Sequence, residues 1–124
     1  VKFLQIWVIP DKMGVTPRYQ QVRMDEHMKA NEFNQVLSPN ADDAGVWIHQ
    51  NAWFHMGHFD KGVTQTYDLK DVNNGVYVLV LEGKVTINGN VLDTRDGLGI
   101  SDTKSFTMDA DEDARVLLME VPMY

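Results

Sequence analysis

The chain reads as an all-β domain, a sandwich or a barrel, on three observations. The run Val85-Thr86-Ile87-Asn88-Gly89-Asn90-Val91-Leu92 is a hairpin in which Asn88-Gly89 supplies the two positive-φ residues of a type I′ turn, whose twist matches that of the flanking strands. From residue 46 to the end, short runs rich in β-branched and aromatic residues recur at a spacing of roughly eight to twelve, with Gly, Asn or Asp at nearly every joint. Two runs, Val76-Tyr77-Val78-Leu79-Val80-Leu81 and Val116-Leu117-Leu118-Met119, are continuously apolar, as expected of central strands covered on both faces.

The elements follow in order. Residues 3–9 (Phe-Leu-Gln-Ile-Trp-Val-Ile) form an apolar run that predicts an opening strand. Pro10, Asp11, Gly14 and Pro17 then break the chain, residues 19–22 form a short extended piece, and the whole of 1–23 reads as an arm. Between residues 24 and 39 two readings stand open: a helical turn over 25–29, and over 33–37 a segment that suits a strand equally well. Residues 38–45 are a polar loop. Strands are predicted over 46–50, 52–59, 64–69, 75–82, 84–87, 91–93, 98–101, 105–108 and 115–121. No internal period and no low-complexity tract argues for a solenoid or a disordered tail.

Composition narrows the function classes. A length of 124 residues suits one domain with a core of its own, and without cysteine there is no disulfide framework, thiolate zinc site or thiol nucleophile, which fits a reducing cytoplasm. A formal charge of −7 repels phosphate backbones and anionic lipid, so neither nucleic acid nor a membrane surface is an expected partner. No apolar run reaches the length of a membrane span and no signal-peptide pattern opens the chain. Val1, followed at once by an apolar run, reads as a cut just before structure, in a fragment or a processed form.

Several segments carry a family resemblance. Leu4-Gln5-Ile6-Trp7-Val8-Ile9-Pro10 followed by Pro17-Arg18-Tyr19-Gln20-Gln21 resembles the inter-domain signature of the pirin family, within the cupin superfamily. Ile48-His49-Gln50-Asn51-Ala52, Gly83-Lys84-Val85-Thr86-Ile87-Asn88-Gly89, Asp96-Gly97-Leu98-Gly99-Ile100 and residues 114–122 agree with later segments in the same order; Asn51 stands where the family often has Asp. The resemblance implies a cupin-like double-stranded β-helix, a jelly roll of two antiparallel sheets with an N-terminal arm. Residues 1–23 would be the inter-domain strand and arm, and 24–124 the C-terminal cupin of a two-cupin protein. It further implies that iron or another divalent transition metal, held by three histidines and a glutamate, belongs to an N-terminal cupin upstream of Val1, and that some parent proteins are quercetin 2,3-dioxygenase-like. The implied partner of this chain is that N-terminal cupin. An apolar strand bearing Ile6, Trp7 and Val8 also suits burial against a second copy of the chain.

The residues themselves offer few catalytic constellations. His49, His55 and His58 are the candidate metal ligands, since imidazole binds iron, nickel, copper and zinc. In a regular strand, however, His55 and His58 point to opposite faces, unless a bulge at Gly57 realigns them, and no histidine follows His58 to supply a ligand from a later strand. Their ordinary reading is as surface or hydrogen-bonded core histidines. Asp109, Asp111, Asp113 and Glu120 fall at positions 1, 3, 5 and 12 of a calcium loop, but Ala114 replaces the required glycine and residues 115–121 read as a strand. No Gly-x-Ser-x-Gly elbow and no phosphate loop is present. Trp47, Trp53, Phe54, Phe59 and Tyr77 could fill the core, or line a small apolar cavity at a barrel mouth, for which Trp53, Phe59 and Tyr77 are the candidate ligand contacts. Asp60, Asp68, Asp71, Glu82 and Asp102 read as turn or solvent-facing acids.

The resulting expectation is a cupin with no catalytic residue and no cofactor of its own, completing a two-cupin fold beside a metal-dependent partner cupin. Two alternatives come from other classes: a non-catalytic protein-interaction module, and a jelly roll that binds a small ligand by itself.

Overall fold

The computed structural model describes residues 3–24 and 28–123. The helical turn expected over 25–29 lies partly outside the described residues. Among the described residues there are ten strands: β1 Asn34–Ser38, β2 Val46–Trp47, β3 Trp53–Phe59, β4 Thr64–Asp68, β5 Asn74–Glu82, β6 Val85–Ile87, β7 Asn90–Leu92, β8 Gly97–Ile100, β9 Ser105–Ala110 and β10 Ala114–Pro122. They form a six-stranded sheet in the order β2-β1-β3-β10-β5-β8 and a four-stranded sheet in the order β4-β9-β6-β7. All pairings are antiparallel except β1 with β2. Among the described residues no helix is long and apolar enough to cross a membrane.

The hairpin forms as its sequence dictates: Asn88 and Gly89 have φ of 49° and 79°, and Ile87 pairs with Asn90. The segment left open over 33–37 is a strand, β1, because it finds a ladder partner in β3. Side chains of period two then build the core. Val76, Val78 and Val80 of β5 and Val116 and Leu118 of β10 face Val85, Ile87, Phe106 and Met108 of the smaller sheet, all of them buried. At roughly 25 cal/mol per Å² of apolar surface removed from water, this sandwiched layer is the main source of stability.

The opposite face of the larger sheet explains the continuous apolar runs. Phe54, Met56, Leu81, Leu117 and Met119 point away from the core, and the arm crosses over them, so Leu4, Ile6 and Val8 line grooves shared with these residues. Residues 3–10 nevertheless adopt no strand, contrary to the expectation from their apolar run. A strand requires a ladder, and this segment lies across a sheet face instead of along an edge. It is tied down locally: Asp11 N–H donates to the His49 carbonyl at 2.7 Å, and Gln50 Nε2 donates to the Ile9 carbonyl at 2.9 Å. The Arg18 guanidinium donates to the Trp47 carbonyl and lies 3.8 Å from the centre of the Trp47 ring.

Candidate functional site

The barrel interior is apolar except at one end, where four polar side chains converge. Glu120 continues the inward parity of Val116 and Leu118 on β10 and is completely buried. Its carboxylate accepts from the Tyr67 hydroxyl at 2.6 Å, Asn74 Nδ2 at 2.7 Å, the Lys70 backbone N–H at 2.8 Å and the Asp71 N–H at 3.3 Å. A buried carboxylate is tolerated only with such a complement of donors, and here they come from β4, from the turn after it and from the start of β5. Glu120 therefore clamps the two sheets together at this end.

His55 joins the network from β3. In the β3–β10 ladder it lies opposite Leu118, and its ring packs edge-on against Tyr67 with centroids 5.1 Å apart. Nδ1 is 3.5 Å from the Tyr67 oxygen. The single hydroxyl hydrogen of Tyr67 is committed to Glu120, so the phenol oxygen can serve Nδ1 only as an acceptor, which favours the tautomer with the imidazole hydrogen on Nδ1. Burial, aided by the Lys70 ammonium, pushes the His55 pKa down from 6.5 to about 4, so the ring is neutral at pH 7. Burial, then the hydrogen bond to Glu120 and its negative charge, pushes the Tyr67 pKa well above its usual value, so the phenol keeps its proton.

Next to His55 a cavity of about 330 Å³ opens between β3, β4 and residues 32–33, lined by Glu32, Phe33, His55, Gln65, Tyr67 and Lys70 among others. Three larger grooves, of about 520, 480 and 500 Å³, run beneath and beside the arm on the outer sheet face.

The other residues singled out in the sequence are dispersed. His58 is exposed on the outer face of β3, opposite in sense to His55. No bulge at Gly57 realigns them: β3 and β10 stay in register from Phe59↔Ala114 to Trp53↔Glu120, and a Cβ at Gly57 would lie 2.3 Å from the Phe59 ring. His49 sits beyond β2, edge-on to Trp47 with centroids 5.0 Å apart. Among the described residues no group of three or more His, Asp or Glu is placed to hold a metal ion. Among the described residues the donors do not fit one, since His55 lies on the inward face of β3, His58 on its outer face and His49 beyond β2, and the nearby Glu120 oxygens are occupied by N–H and O–H donors. Asp109, Asp111 and Asp113 accept from Thr64 Oγ1, Thr86 Oγ1 and the Lys61 N–H respectively, far from the buried Glu120, so no calcium loop forms.

Trp53, Phe59 and Tyr77 do not share a cavity. Phe59 is sealed in the core against Phe33, Trp53 lines a cleft with Asn74 and Pro122, and Tyr77 stands 46% exposed on the outer face beside the arm. The interior cluster of Tyr67, Asn74 and Glu120 was not singled out from sequence as a site. One signal pointed to it: Glu120 is the lone acid at an inward-parity position of a strongly apolar strand.

Two antiparallel-rich sheets closed face to face, with the first and last long strands paired at the centre of one of them, define a jelly roll of the cupin class. The chain belongs to the family described as the quercetinase C-terminal cupin domain, whose model matches residues 35–121. Its relatives include the quercetin 2,3-dioxygenase of Escherichia coli strain K12, 36% identical over 95% of this chain and 49% of that protein, and a pirin-like protein of Caulobacter vibrioides, 31% identical over 96% of this chain and 51% of that protein. Among solved structures, the bacterial pirin YhhW from Escherichia coli in complex with nickel(II) superposes with a TM-score of 0.85 at 33% identity, over 95% of this chain and 49% of that chain. The chain thus spans about half the length of the relatives it matches.

Proposed function

We propose that this chain is the metal-free supporting cupin of a two-cupin, pirin-like protein, packed against an N-terminal cupin that carries a divalent transition metal and quercetinase-type dioxygenase chemistry. The observation that carries this reading is the match to only one half of the relatives, taken with a donor set that, among the described residues, does not suit a metal. Residues 1–23 serve as the connecting arm and residues 24–124 as the barrel.

The arm supports the same reading. Its inward residues Leu4, Ile6 and Val8 cover the larger sheet, while Phe3, Trp7 and Ile9 alternate outward and are 82%, 88% and 83% exposed. An apolar stripe of three large side chains calls for a covering surface, and the neighbouring cupin is the surface the chain continues into in its relatives. In the absence of that neighbour the stripe suits a second copy of this chain.

Co-expression tests the reading. The N-terminal half of the parent protein, supplied as a separate polypeptide, is expected to co-purify with this chain and to hold the metal, and Trp7→Asp is expected to weaken the pairing at least about tenfold. Failure of the two halves to associate, or metal that partitions with this chain, would contradict it.

A further inference from the structure

We propose that the cavity between β3, β4 and residues 32–33 is a binding site for a neutral, hydroxylated one-ring molecule, with a ring hydroxyl donating its hydrogen to His55 Nε2. The inference goes beyond the supporting role and does not depend on it.

The geometry builds the site around one atom. His55 is only 5% exposed, and its Nδ1 is turned to Tyr67. Among the described residues Nε2 has no hydrogen-bond partner, yet no buried side-chain nitrogen or oxygen there is left without one; Nε2 is therefore reached from the cavity that His55 lines. With the imidazole hydrogen on Nδ1, the nitrogen facing the cavity is a lone-pair acceptor that asks for a donor. The Tyr67 hydroxyl, held by Glu120, favours this tautomer, and the edge-on packing of the two rings sets the orientation of His55.

Size and charge select the class. A volume of about 330 Å³ is at the small end of ligand cavities and suits a single ring. Phe33 supplies an aromatic wall, set perpendicular to Tyr67 with centroids 5.8 Å apart, against which a ring can pack. Anions are disfavoured by Glu32 and Asp68 at the rim and by Glu120 behind Tyr67. At Nε2 itself the Lys70 ammonium opposes a cation, and the Glu120 oxygens behind Tyr67 are already taken by N–H and O–H donors. What remains is a neutral molecule that offers O–H to His55, and Lys70 and Gln65 can bond its further oxygens.

Phenols and cyclic sugars share this chemistry, and titration separates them. Phenol, catechol and methyl glucoside are added to the folded chain labelled with 15N at histidine, and binding is read from the His55 Nε2 resonance. The expected result is saturable binding of at least one probe, with Nε2 moving upfield as it accepts a hydrogen bond. His55→Gln should weaken that binding about tenfold while His58→Gln leaves it unchanged. Saturation by the phenols alone assigns an aromatic ligand, and saturation by the glucoside alone assigns a sugar. No saturation by any probe, or a bound state in which the Nε2 resonance does not move, would overturn the proposal even if the His55 variant failed to fold.

Discussion

At the scale of single residues, Glu120 is the completely buried carboxylate among the described residues. Its oxygens hold Tyr67, Asn74 and the backbone after β4, so Glu120→Gln turns an acceptor into a donor that faces other donors. We expect a loss of roughly 2 to 4 kcal/mol in urea unfolding, whereas the exposed Glu82→Gln should stay within about 0.5 kcal/mol. His55 adds a pH dependence. The unfolded imidazole takes up a proton near pH 6.5 and the folded one only near pH 4, so between these values the unfolded chain binds more protons and stability falls as pH falls. The loss attributable to this residue, at most about 3 kcal/mol, is complete below pH 4, and His55→Gln should flatten the curve between pH 6.5 and 4. The groups around the ring are Lys70, Tyr67, Glu120, Glu32 and Asp68, and the comparison of variant with parent removes their own titration. Glu120 was legible as an oddity of strand parity. Its donors were not, because they come from loops and strands some fifty positions away and only the fold brings them together.

At the scale of elements, the strands were the most legible part, because period-two patterning and turn residues act locally. The Asn88-Gly89 turn, the β5 and β10 runs and the joints between strands all follow from such local rules. The opening segment misled for a physical reason: its residues suit a strand, but a strand needs a ladder, and covering a sheet face satisfies the same side chains without one. Turns also differ in ways sequence hides. Gly83 and Gly89 both have positive φ, 86° and 79°, but a Cβ at Gly83 would stand 2.1 Å from the Asp113 carbonyl oxygen while one at Gly89 meets nothing within 4 Å. Gly89→Ala is expected to cost about 1 kcal/mol and Gly83→Ala more than about 2, read from thermal or urea unfolding; equal costs would show that the turns are less rigid than described.

At the scale of the whole molecule, the chain presents two unlike parts: a barrel with its apolar layer sealed between two sheets, and an arm with Phe3, Trp7 and Ile9 outward. The barrel interior of a cupin is where ligands usually gather, yet here one inward histidine and a fully occupied carboxylate leave it without a metal-ligand set among the described residues. The isolated chain is expected to self-associate in sedimentation at micromolar concentration, and Trp7→Asp to return it to the monomer. The family was legible because the signature of the arm and the hairpin both survive in the sequence. The small cavity beside His55 was not, since Phe33, Tyr67 and Lys70 meet there only after both sheets close. The most direct test of the central claim is the metal content of the purified chain, by elemental mass spectrometry after growth with iron, nickel, copper, zinc and manganese supplied. Trace metal, unchanged by His55→Gln and His58→Gln, is the expected result; about one metal per chain, lost on those replacements, would contradict a metal-free supporting cupin.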